Sequence, residues 1–198
     1  MMPFMHILIC NDDGIYAPGI RVLNEAVAPL GEVSVVAPDT EQSAVGHAIT
    51  VASPLKAKHV ELPGAFAGRA VSGTPADCVK LAVSCLLEEP PDLVVSGINL
   101  GPNSGISVLY SGTVSGATEG AILGIPSIAF SLATYEEPQW ETACRVARHI
   151  TENYARSGLP AETLLNVNIP NLPFEELKGF SVVRVGKSRY VEAVSYTH

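Results

Sequence analysis

The chain opens with Ile7-Leu8-Ile9-Cys10, an apolar run that ends abruptly at Asn11-Asp12-Asp13-Gly14. Four β-prone residues bounded by a turn predict a strand buried on both faces, and such strands belong to parallel sheets covered by helices. The two carboxylates at its C-terminal end add a second constraint. Adjacent like charges repel, and burial penalises each of them again. A divalent cation relieves both penalties at once. The carboxyl ends of the strands are also where an open α/β sheet takes its ligands. The opening segment therefore predicts an α/β fold with a cation site at one edge of its sheet.

Strand-like and helix-like segments then alternate. Gly19 to Leu30 carries Ile20, Leu23, Val27 and Leu30 on one helical face, and Gly31 stops it. Val33 to Ala37 is a second buried strand, closed by Pro38-Asp39. Ala76 to Glu88 reads as a helix, with Val79, Ala82, Val83 and Leu86 on a face and Pro75 near its start. Leu93-Val94-Val95 is a strand, Thr113 to Leu123 a helix, and Ile128-Ala129-Phe130 a strand. Trp140, Ala143, Cys144, Ala147, Ile150 and Tyr154 mark a long amphipathic helix. This succession predicts a doubly wound, mostly parallel sheet over residues 1–163, with right-handed crossovers. From about Leu164 the pattern turns to strands, at Leu165 to Ile169, Phe180 to Val185 and Tyr190 to Val194, which predicts a β-rich extension over 164–198. The chain stops at Tyr196-Thr197-His198 without a capping element, so a further C-terminal segment is expected.

At 198 residues, 47% hydrophobic and 16% charged, the composition is that of a well-buried globular chain rather than a disordered one. A net charge of −8 argues against a general nucleic-acid binder, which would present a basic face. Small anionic substrates stay open, because a bound cation reverses the local field. Cys10, Cys78, Cys85 and Cys144 fall in apolar surroundings without a CxxC pair, which predicts core filling in a reducing compartment. Residues 1–9 lack the basic and long apolar regions of a signal peptide. No run reaches the ~18 apolar residues of a membrane span. A cytoplasmic protein with no membrane partner is the expectation.

Three further loops are expected at the edge that carries Asp12 and Asp13. They are Ala37 to His47, Ser96 to Gly105, and Tyr110-Ser111-Gly112-Thr113, the last running into a helix. Each is rich in glycine and in short oxygen-bearing side chains, a composition that suits hard cations and phosphate. Ser111 and Thr113 precede a helix whose dipole favours negative charge. There is no Walker lysine and no GxGxxG. Plainer roles stand beside these. Asp12 or Asp13 could be a turn residue or a cap, Ser43 a loop serine, Asn99 a turn cap, and Ser111-Gly112-Thr113 an ordinary helix start. His47 reads as structural or solvent-facing, and Gly73-Thr74-Pro75-Ala76-Asp77 as a loop and helix start whose polar groups could line a pocket.

Taken together, Asn11-Asp12-Asp13-Gly14, Gln42-Ser43, Ser72-Gly73-Thr74-Pro75-Ala76-Asp77-Cys78, Ser96-Gly97-Ile98-Asn99 and Tyr110-Ser111-Gly112-Thr113-Val114 resemble the survival protein SurE family of metal-dependent 5′/3′-nucleotidases. The five segments occur in the family's order from about residue 5 to 131. The resemblance implies a Rossmann-like α/β domain with a β-hairpin extension and a C-terminal tail exchanged between subunits. It implies Asp12, Asp13, Ser43 and Asn99 as ligands of one divalent cation per subunit, Mg2+ or Mn2+. It implies nucleoside monophosphates as substrates, short polyphosphate in some members, and a homodimer or homotetramer. Two departures stand out. Many relatives carry an acid where this chain has Ser107, and the family continues past a Tyr-Trp-containing strand that this sequence does not reach.

On that basis Asp12, Asp13 and Asn103 are the expected catalytic residues, with one aspartate taking a proton from water. Gly14, Asn103, Ser111, Gly112 and Thr113 are expected to bind substrate, the last four at the phosphoryl oxygens. A phosphoaspartyl route through Asp12 ranks below, since such enzymes favour a D-x-D spacing. A non-catalytic nucleotide-binding module is the rival from another class.

Overall fold

In the computed structural model, residues 5–62, 66–157, 160 and 163–188 are described. The strands are Met5–Cys10 (β1), Gly31–Pro38 (β2), Ala57–Leu62 (β3), Phe66–Val71 (β4), Leu93–Leu100 (β5), Ser127–Ala133 (β6) and Leu164–Pro170 (β7). They form one sheet in the order β3-β4-β2-β1-β5-β6-β7, parallel throughout except for the β3–β4 hairpin. Ile7, Leu8, Ile9 and Cys10 are all fully buried, as an apolar run without alternation dictates in a strand covered on both faces.

Among the described residues four α-helices supply the cover: Pro18–Val27 (α1), Pro75–Leu81 (α2), Gly112–Ile122 (α3) and Trp140–Ser157 (α4). Ile20, Leu23 and Val27 of α1 and Ala143, Val146 and Ala147 of α4 pack with Ile7, Ile9, Leu93 and Phe130 on one face. Cys78 and Val79 of α2 pack with Leu8, Cys10 and Val94 on the opposite face. Val114 and Ala117 of α3 close over Ala129 beside them. Burying a Leu- or Ile-sized side chain is worth about 1.5–3 kcal/mol, so the two faces together hold the sheet. The predicted doubly wound α/β architecture is the one observed. No helix among the described residues is long and apolar enough to cross a membrane.

The details depart from the sequence-based expectations in several places, among them Cys85, expected in the core but exposed, and Ser96 to Leu100, expected as loop but part of β5. The helix expected over Ala76 to Glu88 is α-helical only to Leu81 and continues as a wider π-type turn over Ala82–Leu86. The hairpin β3–β4 was not predicted, because Lys58, His59 and Glu61 break the apolar pattern on an exposed edge strand. The strand at Leu165 to Ile169 exists, but as part of β7 it pairs in parallel with β6 and completes the main sheet instead of starting an extension. Phe180 to Val185 is not a strand. No segment of the described chain pairs with it, and Val182 and Val183 lie in solvent. The Phe180 ring stacks on His149 instead. Tyr190 to Val194 lies outside the described residues.

The position of the site follows from the topology. From β1 the chain moves outward to β2 on one side, then returns to place β5 on the other. That reversal leaves a crevice beyond the carboxyl ends of β1 and β5, where open α/β sheets take ligands.

Candidate active site

Asn11 turns the chain out of β1. Its Nδ2 donates to the Gly14 carbonyl (2.9 Å), and Gly14 adopts φ +95°, a left-handed conformation that glycine takes without strain. Asp12 is thereby left at the strand end, only 5% exposed. Its carboxylate accepts a hydrogen bond from the Thr113 hydroxyl. Gly112 packs directly behind it, so closely that a Cβ there would stand 2.6 Å from Asp12 Cβ and 2.9 Å from its Oδ2. The N-terminus of α3 and the end of β1 are therefore locked together through one carboxylate.

Both aspartates are electrostatically uncompensated. Burial pushes the Asp12 carboxyl above the usual range despite the hydrogen bond from Thr113. Burial, then the charges of Asp12 and Glu41, push Asp13 up to about 7. No lysine, arginine or histidine pairs with either among the described residues. Such a pair is costly alone and favourable around a cation.

Asp12 lines an open hollow of about 210 Å³ together with Ser43, Asn99, Asn103, Ser107, Tyr110, Ser111 and Tyr135. Ser43 comes from the loop after β2 and donates to Glu41 Oε1 (2.5 Å). Asn99 lies near the end of β5 and donates its Nδ2 to the Gly101 carbonyl (2.8 Å), leaving its side-chain oxygen for a ligand. Ser111 caps α3 by accepting from the Val114 N–H (3.0 Å), so its own O–H is free to donate. Five expected site residues thus share one hollow. Asp13, Gly14, Gly112 and Thr113 stand outside its lining. Thr113 is fully buried and spends its hydroxyl on Asp12, whereas the sequence suggests a phosphate contact there.

Asn103 is 7% exposed, and its surroundings contain residues that the sequence did not single out. Its Nδ2 donates to Ser131 Oγ of β6 (2.7 Å). Its backbone N–H donates to Asn168 Oδ1 (2.8 Å), and its carbonyl accepts from Asn166 Nδ2 (2.8 Å) and Asn168 Nδ2 (3.0 Å). The signal was present in the Asn166-Val167-Asn168 alternation, which puts two amides on one face of a strand. The loop around Ser43 is likewise pinned, by Gln42 N–H to the Asp12 carbonyl (2.7 Å) and Gly46 N–H to the Tyr110 carbonyl (3.0 Å).

The sequence matches the survival protein SurE family over residues 7–192. The chain belongs to the SurE family. A protein named 5′-nucleotidase SurE from Moorella thermoacetica is 52% identical over 192 residues, covering 96% of this chain and 74% of the relative. Another of that name from Chlorobium chlorochromatii is 50% identical over 193 residues, with coverage of 98% and 71%. The crystal structure of the SurE protein from Aquifex aeolicus superposes with a TM-score of 0.84 at 51% identity, over 92% of this chain and 73% of that one. The SurE fold therefore accounts for the sheet and for the crevice in which these residues meet.

Proposed function

We propose that the protein is a divalent-cation-dependent nucleotidase that hydrolyses nucleoside monophosphates to nucleoside and phosphate. The SurE relatives named as 5′-nucleotidases support the reaction class. The observation that carries it is the placement of Asp12, uncompensated and buried, in the same hollow as Ser43, Asn99 and the cap of a helix N-terminus.

The donor set fits a hard cation. Asp12, Asp13, Ser43 and Asn99 offer only oxygen, the ligand type of Mg2+ and Mn2+. These four residues would hold one cation per subunit. Bound there, such a cation would polarise the phosphoryl group and lower the pKa of nearby water.

The protein's own groups do the rest. One aspartate accepts the proton of the attacking water as its oxygen bonds to phosphorus. The phosphorus–oxygen ester bond breaks, and the departing nucleoside oxygen takes up a proton. Ser111 O–H, the Gly112 N–H and Asn103 hold the phosphoryl oxygens where the α3 N-terminus favours negative charge. Thr113 and Gly112 keep Asp12 in place. Both 5′- and 3′-monophosphates, and short polyphosphate, present the same terminal group. The family resemblance extends this reading to a cytoplasmic homodimer or homotetramer.

Phosphate release from 5′-AMP, 5′-GMP and their 3′ isomers, with Mn2+, with Mg2+ and with chelator, tests the proposal. Cation-dependent release that Asp13→Ala abolishes is the expected result. Release undiminished by chelator would overturn it.

A further inference from the structure

Between β2 and β3 the chain runs from residue 39 to 56 without regular secondary structure, and it carries Ser43. Two features show that this loop is held in one conformation. Ala44, next to Ser43, has φ +58°, a left-handed conformation that costs a non-glycine residue of order 1 kcal/mol and persists only where the surroundings enforce it. Three residues further on, His47 Nε2 lies 2.8 Å from Glu119 Oε2.

Glu119 is an unusual partner for an exposed loop. It sits in α3 with a side chain only 4% exposed, its Oε1 has no hydrogen-bond donor, and Lys80 Nζ of α2 stands 3.7 Å away. A carboxylate buried that deeply is weak evidence for stability, since apolar residues of similar volume often serve as well. What it does provide is a fixed point. α3 begins at Gly112 behind Asp12, so the helix that aims Asp12 also holds, two turns later, the histidine of the Ser43 loop.

We propose that His47 and Glu119 are positioning residues that hold Ser43 and Asp12 in mutual register, and so set the affinity of the site for its cation. The inference rests on the cation site proposed above. Gln42 and Gly46 tie down the loop's backbone on either side of Ser43, and the His47–Glu119 pair fixes where that tied segment sits along α3. Groups that orient ligands from behind in this way govern cation affinity by about 10- to 100-fold.

The test is calorimetric titration of Mn2+ into the metal-free full chain, for the wild type, His47→Ala, His47→Gln and Glu119→Gln, beside steady-state kinetics across Mn2+ concentration. His47→Ala should bind Mn2+ about 10- to 100-fold more weakly. His47→Gln, whose amide can still donate to Glu119, should recover most of that loss. The Mn2+ concentration for half-maximal rate should rise in parallel, while kcat returns at saturating Mn2+. Wild-type Mn2+ affinity in His47→Ala, with or without a lower Tm, would overturn the inference and leave the pair a structural tie. A fall in kcat that saturating Mn2+ does not restore would overturn it as well. A wild type that binds Mn2+ but hydrolyses no nucleotide would instead overturn the proposed activity and leave the positioning role standing.

Discussion

Two aspartates at the end of β1 set the chemistry by being expensive. The Asp13 carboxyl, ordinarily at 3.8, is pushed to about 7 by burial and by the charges of Asp12 and Glu41. The fold therefore favours its protonated form, and the sign of the pH dependence follows. In metal-free protein Asp13 contributes a penalty that is absent below pH 3.8, grows as pH rises towards 7, and is complete above it. Burial shifts Asp12 in the same direction. A cation removes the penalty, so Mn2+ should raise the Tm more at about pH 8 than at about pH 5.5. Asp13→Asn should raise the metal-free Tm at about pH 8 by about 2–4 °C, the shift that ~1 kcal/mol produces in a chain of this size, and should abolish stabilisation by Mn2+. Thermal melts with and without chelator read both effects. A second residue-scale prediction concerns Gly112. A methyl group there would collide with Asp12, and misplacing a reacting group by about 1 Å costs on the order of 100-fold in rate. Gly112→Ala should lower kcat/KM for 5′-AMP by about that factor.

Among the elements, α3 does the most to assemble the site. Ser111 accepts from the Val114 N–H, and Thr113 spends its hydroxyl on Asp12. Ser111 thus has a capping function and a donor function, and two substitutions separate them. Glycine caps a helix nearly as well as serine, whereas alanine costs about 1 kcal/mol. Ser111→Gly should therefore keep most of the Tm that Ser111→Ala loses, yet both should raise KM for 5′-AMP similarly, because both lack the hydroxyl. The neighbouring element, α2, starts at a capping box between Thr74 and Asp77. Burial raises the Asp77 carboxyl, but bonds donated by Thr50 and Thr74 outweigh it and the net direction is down. Its stabilisation is complete above its ordinary pKa and is lost as pH falls through the lowered value. Asp77→Ala should free the segment around Thr50, and limited proteolysis should cut there faster than in the wild type.

Across the whole molecule, what could be read from sequence was whatever rests on local pattern. Ile7 to Cys10, Leu93 to Val95 and Ile128 to Phe130 announce buried strands because continuous apolar runs have no other stable placement, and Asp12, Ser43, Asn99, Asn103 and Ser111 follow at the strand ends and loops of one sheet edge. What escaped depends on contacts made across the chain. The hairpin β3–β4 is an exposed edge with polar residues, so its sequence resembles a loop. The asparagine clamp on Asn103 joins positions more than 60 residues apart, and His47 meets Glu119 across 72. Thr113 illustrates the same limit within a correct segment, since only the packing of α3 against β1 decides that its hydroxyl faces Asp12. The account stands or falls on Asp12, the residue where strand, helix N-terminus and hollow converge. The direct measurement is phosphate release from 5′-AMP at saturating Mn2+ by the wild type and by Asp12→Asn. A loss of at least about 100-fold is predicted, from removal of a charged ligand and candidate proton acceptor. Wild-type activity in Asp12→Asn would contradict the account.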